Sequence, residues 1–563
     1  MHNSCPMPAS SAAAKVSWRP WTVALLLLAC FVPRAVAAWQ WDVLWGDTLH
    51  YLYASLALEQ GDFKKGFAEF GLNIYPLLLI PMRHLGIDWQ IAGKWFGVLM
   101  ATCTVVPLWG WLRRMFDDRV ALWACLAYAV QGKLITISPL IIRDATFWFL
   151  LATTLYCFWR AVGELRFSFF LAAGLALTLA VHTRAEGWLL LAPLLGWTAC
   201  RWATDPGRRV RLVLGTLACL AVIPAALAVV NVTWLREHPQ WGLLRRDHLQ
   251  MLMVWAGTES ELKAAPSEED DLLLSLDWPD RAKPSRATAP PAEAIEAPAP
   301  LPPVPSIQLP PTPRPEKTAS RWMLAYMLTE RLAKGFTWVG SVLLLIGIAY
   351  NWRTFLRPEH LALLAMNAAL LVISGLRYRT AGLDLRYFMP IVIVGLPWMA
   401  LGGEFLVARI LRLAQRRGEL SLWAKRTLVA GLVAVLVLCS LLDGSLASSA
   451  RMRKRALLGR WIHDRAVGTP ELAGNLDHLS LDTFFARGRI AGVIWPRDCL
   501  IVPMPPVLVR RKADFVVLWN LENLKHEHMA LLEQRISDYC GYRRVRPQGV
   551  PVGEDELLVF EKK

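Results

Sequence analysis

An α-helical protein that crosses a membrane about eleven times and ends in a small soluble α/β domain is the fold class the sequence predicts, on three observations. Of its 563 residues 55% are hydrophobic, with a mean hydropathy of +0.35, where soluble chains hold roughly 45–50% apolar residues. The excess is gathered in blocks such as "VALLLLACFV", "LLLAPLLGW" and "LVAVLVLCSLL", several close to the ~20 residues a bilayer core demands of a spanning helix. After residue 451 the blocks stop and the composition becomes that of a soluble domain.

The elements follow in order. A tail (1–20) carries Lys15 and Arg19 and leads into an apolar run from Trp21 to Ala38, interrupted by Pro33 and Arg34. A cleaved signal peptide is one alternative for this run, since "AVAA" resembles a cleavage site, and "LLAC" faintly resembles a lipobox. Further spans are expected at 90–112, 119–138, 145–160, 167–183, 187–201, 211–230, 336–352, 359–376, 387–408 and 427–446. They divide the chain into a transmembrane core (21–230), a long loop (231–335), further transmembrane helices (336–450) and a terminal domain (451–563). In the long loop, "TWLREHPQWGLLRRDHLQMLMVWAG" is amphipathic and suits a membrane interface. The stretch 267–316 turns acidic and then proline-rich, and such chain has no core of its own and is expected to be disordered. In the last domain "DFVVLW" and "ELLVFE" read as buried strands around a helix in "ENLKHEHMALLEQRISDYC".

The formal charge of +16 does not point to nucleic acid, because the excess lies in short loops between spans. Arg113, Arg114 and Arg119, then Arg160 and Arg166, then Arg201, Arg208, Arg209 and Arg211 fill one set, with Arg353, Arg357 and the run from Arg409 to Arg426. By the positive-inside bias this set is cytoplasmic. The opposite loops carry both signs of charge: "WDVLWGDTLHYLY" around Asp47, "SPLIIRDATF", "VHTRAEGW" and "RYRTAGLDLRYFMP". That pattern predicts a polar site assembled at one membrane face. Ten cysteines show no metal-ligand spacing; seven lie in apolar blocks, and Cys499 and Cys540 pair in an oxidising compartment or stand as two unrelated thiols.

No phosphate-binding glycine loop, dinucleotide fingerprint, HExxH or GxSxG motif is present. The chemistry is therefore left to acids and arginines at the outer helix ends. Asp47 opens an amphipathic helix with Leu49, Leu52 and Leu56 on one side and Tyr51 one turn on; it is a candidate general base or a helix cap. Asp144 follows Arg143 at the start of a span, where it either caps the helix or joins Asp47 in a site. Arg184 and Glu186 form either a local ion pair or part of that site. Arg377, Arg379 and Arg386 bring planar donor forks suited to phosphate oxygens against the inside-positive trend. Lys133, inside an apolar span, either snorkels or binds an anion. His50, Tyr51, Tyr75 and Glu186 are further candidates for substrate contact. A transporter or lipid flippase is the alternative function, but its charges would be expected near the midplane rather than at helix ends on one face.

The order of an apolar anchor, an early Asp, "YPLLLIP", "RDATFWFLL", "TRAEGWLLL" and "LRYFMPIVIVGLPWMALGG" resembles the GT-C glycosyltransferases, in the protein mannosyltransferase (family 39-like) and aminoarabinose transferase branch. The resemblance implies a GT-C fold in a multi-pass protein of the cell inner membrane, with its first span retained and its active site extracytoplasmic. It implies an inverting transfer of a sugar from a polyprenyl-phosphate donor to a protein, lipid or glycan acceptor. Asp47 takes the position of the catalytic base and Asp144 that of a second catalytic acid. Arg386 leads the donor-phosphate candidates, followed by Arg377, Arg143, Arg184 and Lys133. No cofactor is implied with certainty, and a divalent cation is left open. The chain departs from the family in having no Lys before Pro76 and Thr48 rather than an acid after Asp47, which leaves donor sugar and acceptor undetermined.

Overall fold

Apolar helices long enough to span a bilayer dominate the computed structural model. It describes residues 20–40, 46–233 apart from 69–71, 86 and 88, and 321–416 apart from 382–383. Towards the C-terminus it describes scattered positions between 421 and 438, segments 448–468, 470–474, 489–493, 513–519, 526–548 and 557–563, and residues 508 and 550. The interfacial and proline-rich parts of the 231–335 loop, most of the expected 427–446 span, and Cys499 lie outside the described residues.

Among the described residues six helices are long and apolar enough to cross a membrane: Trp21–Trp39, Ile91–Met115, Asp144–Glu164, Pro206–Thr233, Pro358–Gly375 and Leu385–Leu413. Each coincides with a span expected from hydropathy. The chain begins with α1 (Pro20–Gln40), followed by three shorter helices, α2 (Gly46–Glu59), α3 (Phe63–Ala68) and α4 (Ile74–His84). The second span is α5 (Trp89–Cys103) continued by α6 (Val105–Met115).

The expected 119–138 span is divided. Asp117 caps α7 (Asp118–Val130) by accepting from Val120 N at 2.8 Å, and the chain leaves helical geometry at Gln131 before α8 (Gly132–Ile137). Such a break frees carbonyls that bilayer hydrocarbon cannot satisfy. Arg34, fully buried, supplies the donors: Nη2 to Tyr128 O and Nη1 to Ala129 O, each at 3.0 Å. Its Nη1 also donates to Cys30 O at 2.9 Å and its Nε to Ser138 Oγ at 3.1 Å. The charge that interrupts the first apolar run is thus the cap of the broken third span.

The next helices are α9 (Asp144–Glu164), α10 (Phe167–Thr183), α11 (Leu191–Thr204) and α12 (Arg209–Thr233), with a 3-10 turn at Ala185–Leu190 before α11. After the long loop come α13 (Arg321–Phe336) and α14 (Trp338–Tyr350), bent by 97° where they meet. Thr337 turns that corner with φ of 65°, and its hydroxyl accepts from Gly340 N at 3.2 Å to start α14. The expected loop to 335 therefore ends in a helix set across the direction of the next span. α15 (Pro358–Ala381) and α16 (Met389–Gln415) complete the described helices of the membrane part. α14 packs along α16, and Gly347 meets the α16 backbone so closely that a Cβ there would strike Trp398 O. Small residues permit this approach in a bilayer, where association rests on van der Waals contact.

After α17 (Ser448–Arg465) a five-stranded sheet forms, ordered β2-β1-β3-β5-β4. The strands are β1 (Glu471–Gly474), β2 (Arg489–Val493), β3 (Phe515–Trp519), β4 (Tyr542–Val545) and β5 (Leu557–Lys562), with α18 (His526–Gln534) between β3 and β4. β1 runs parallel to β2 and β3, whereas β5 runs antiparallel to β3 and β4. The all-buried "FVVLW" of β3 reflects its central place. Cys540 is buried against this sheet's core.

Arg465 at the end of α17 clamps Glu561 of β5 bidentately at 3.0 and 2.9 Å, and Arg543 of β4 adds a bond at 3.0 Å. The hydrogen bond from Arg465, reinforced by Arg543, holds the Glu561 carboxyl below its ordinary 4.5. A depressed carboxyl contributes stability above its unfolded value and loses it as pH falls through the folded one. Unfolding midpoints of the full chain are therefore expected to fall on acidification below about pH 4.5. Glu561→Gln should remove part of that slope in thermal scans; an unchanged slope would contradict the assignment.

Candidate active site

α9 places its two ends in different company. Glu164 at its end meets Arg160 at 2.8 Å, with Arg166 at 3.7 Å and Arg114 at 3.8 Å. Asp144 at its start, about 30 Å away along the axis, meets residues of the mixed-charge loops. The two loop sets distinguished by charge thus gather at opposite ends of one helix.

Asp144 does not cap α9. The cap position belongs to Arg143, which makes no side-chain cap bond, and the Asp144 carboxylate accepts instead from Arg184 Nη1. Arg184 also reaches Glu186, from Nη2 to Oε1 at 2.9 Å and from Nε to Oε2 at 3.3 Å. All three side chains are at most 9% exposed. Burial works against the Arg184 charge, but Asp144 and Glu186 outweigh it and hold the guanidinium above its ordinary value. Local backbone makes this possible. Arg184 leaves α10 in an extended conformation, with its N–H on Ala180 O at 2.9 Å. Gly187 then brings the 3-10 turn back against α10 so tightly that a Cβ would lie 2.7 Å from Val181 N.

Around this triad stand the other charges. Arg143 and Arg386 lie near enough to Asp144 to act on its charge, as does Asp384. Asp384 starts the 3-10 turn Leu385–Phe388 by accepting from Arg386 N at 3.1 Å, and its other oxygen lies 3.2 Å from Arg386 Nε. Tyr387 stands between two guanidiniums: its ring centroid is 5.0 Å from Arg184 and 5.3 Å from Arg386, whose Nη2 donates to its hydroxyl at 3.4 Å. The Arg386 side chain keeps 14% exposure, against 3% for Arg184.

The α2–α4 segment closes over this end. Arg143 lies over the Tyr51 ring at 5.9 Å, and Tyr51 meets Tyr75 edge-on at 5.1 Å. Tyr51 and Tyr75 are both buried; burial pushes the Tyr75 hydroxyl up, with Tyr51 and Asp144 adding to the shift. The Ser55 hydroxyl lies 2.8 Å from Tyr51 O and 2.9 Å from Pro76 O, tying α2 to α4. His182 Nδ1 meets Leu72 O at 3.3 Å, tying the same segment to α10.

Of the residues singled out from sequence, Asp144, Arg143, Arg184, Glu186, Arg386, Tyr51 and Tyr75 come together here. Lys133 is the second residue of α8 and is half-buried. His50 lies half-buried on α2. Asp47 is the second residue of α2 and Arg377 lies on α15, while the side chains of both are outside the described residues. Sequence reasoning passed over Asp384 and Tyr387; the Asp two residues before Arg386 in "LDLRY" was the available signal, as an acid starting a turn. Among the described residues no three His, Cys, Asp or Glu side chains gather where they could hold a metal ion.

Residues 84–234, which include Asp144 and Arg184, match the family model of dolichyl-phosphate-mannose-protein mannosyltransferases. No curated protein sequence matches the chain. The whole chain is similar in structure to ArnT from Cupriavidus metallidurans in the apo state, at 14% identity over 96% of this chain and 97% of that one, with a TM-score of 0.51. It is also similar to the apo oligosaccharyltransferase of Archaeoglobus fulgidus, at 11% identity over 94% of this chain and 73% of that one, with a TM-score of 0.49. Residues 84–234 are thus similar to that mannosyltransferase family, and the likeness to ArnT gives the chain the fold of a multi-pass GT-C membrane protein.

Proposed function

We propose that the protein moves a sugar from a polyprenyl-phosphate donor to an acceptor hydroxyl on a protein, lipid or envelope glycan, with inversion at the anomeric carbon, at the extracytoplasmic face of the cell inner membrane. The observation that carries this is the convergence of Arg143, Arg184 and Arg386 around Asp144 at one end of the bundle. A phosphate leaving group needs fixed donors where its charge develops, and guanidiniums match its oxygens.

Roles within the cluster differ. Two carboxylates already occupy Arg184, so it and Asp144 act as positioning residues for the surrounding wall. Arg386, partly exposed and steadied by Asp384 and Tyr387, is the group that receives the donor phosphate. Arg377 is a further phosphate ligand, and His50, Tyr51 and Tyr75 contact substrate. Asp47, at the start of α2, takes the proton of the acceptor hydroxyl as its oxygen bonds to the anomeric carbon. The bond from that carbon to the phosphate oxygen breaks, and polyprenyl phosphate leaves as a monoester anion.

The test is transfer of labelled hexose from a polyprenyl-phosphate hexose by the purified full-length protein, with envelope extracts as acceptors. Mass spectrometry of envelope glycans and glycoproteins from cells lacking the gene complements it. Loss of a sugar-sized mass increment in those cells, matched by labelling in vitro, is expected; absence of both would overturn the proposal. Arg386→Ala is expected to weaken polyprenyl-phosphate binding about tenfold or more, since charge-assisted bonds contribute roughly 1.5–3 kcal/mol. Titration of donor and acceptor separately checks this, because a change confined to acceptor affinity would contradict the assignment.

A further inference from the structure

At the basic end of the bundle some described arginines meet a carboxylate. Arg113 meets Asp118, Arg160 meets Glu164 at 2.8 Å, and Arg208 meets Asp205 at 3.3 Å. Arg409, Arg412 and Arg416 are set apart by bordering one hollow together. All three are exposed, and among the described residues none has a carboxylate within ion-pair distance. Spaced three and four residues apart on α16, they share one helix face. α16 starts beside Arg386, so these residues lie towards its far end, about 30–40 Å along its axis.

With Leu413 and Gln415 they line a hollow of about 310 Å³, and Leu413 is 49% exposed beside them. The favourable effect of a cation on a helix C-terminus acts within the last turn. It accounts for Arg416 and Arg412 but not for Arg409 two turns back, nor for a hollow bordered by three guanidiniums. We propose that Arg409, Arg412 and Arg416 form a headgroup site for an anionic phospholipid of the membrane the protein spans. The planar forks match a phosphodiester, the exposed Leu413 offers an apolar contact beside it, and the position at the end of an apolar span sets the site at headgroup depth. Each such arginine near an anionic membrane surface adds to the attraction. The site is separate from the Asp144 cluster and does not depend on its chemistry.

The experiment is native mass spectrometry of the full-length protein in detergent, titrated with phosphatidylglycerol, phosphatidylcholine or inorganic phosphate. The Arg409→Gln/Arg412→Gln/Arg416→Gln protein is expected to lose phosphatidylglycerol affinity roughly a hundredfold, through the charge-assisted hydrogen bonds to the headgroup phosphate that it no longer makes. A control of equal charge loss at the same end, Arg208→Gln/Arg209→Gln/Arg211→Gln, is expected to stay within about threefold of wild type. Equal losses in both variants would mean diffuse surface charge and overturn the proposal, as would undiminished binding in the first. Wild-type binding of phosphatidylcholine as tight as phosphatidylglycerol, or equal occupancy by inorganic phosphate alone, would overturn it too.

Discussion

Asp47→Asn is expected to lower sugar transfer by about 10²–10⁴-fold while the protein inserts and folds as before. The substitution separates the two roles an acid can play at the start of α2. Asparagine is as good as aspartate at satisfying the free N–H groups of a helix start, so a capping function would survive it. It cannot take a proton from an attacking hydroxyl, so a base function would not. The measurement is transfer by purified variant from a polyprenyl-phosphate hexose, with thermal unfolding run alongside. Near wild-type transfer with unchanged thermal stability would remove Asp47 from the base position and leave it the cap.

Arg184→Leu carries the largest expected cost to the fold. Leucine fills much of the space but takes from Asp144 and Glu186, both buried, the guanidinium they share. Removing one partner of a buried pair costs about 3–5 kcal/mol, because the remaining charge is stranded in low dielectric. Here two carboxylates lose the same partner. Adding Asp144→Asn to Arg184→Leu should therefore restore part of the loss, giving a clear non-additive coupling. Denaturant or thermal unfolding of the four proteins in one detergent measures it. Additive effects would show that the pair is not coupled as its geometry requires.

The legibility of the site divides by the range of the interactions. Spans such as 145–160 and 211–230 were readable because hydrocarbon demands a continuous apolar run, and that demand is written residue by residue. The division at Gln131 was not, because its cost is met by Arg34, which lies about a hundred residues earlier in the chain and donates to Tyr128 and Ala129. In sequence Arg34 is only an interruption of an apolar run. The 97° corner at Thr337 was hidden for a similar reason: hydropathy sums along the chain and carries no direction.

In the same way, the mixed charges of four loops announced a polar site at one end of the helices. Which charge would meet which was beyond them: Asp144 and Arg184 are 40 residues apart, and each had a local explanation as a cap or a neighbouring ion pair. Composition and charge order by themselves determined a multi-pass membrane chain, its basic and mixed-charge ends, and the small terminal sheet. Only the tertiary structure decided that Asp144 is spent on Arg184 and that Arg386 keeps an accessible face. Pairing of buried charges depends on the distance between helix ends in the packed bundle, a quantity that no local run of residues encodes.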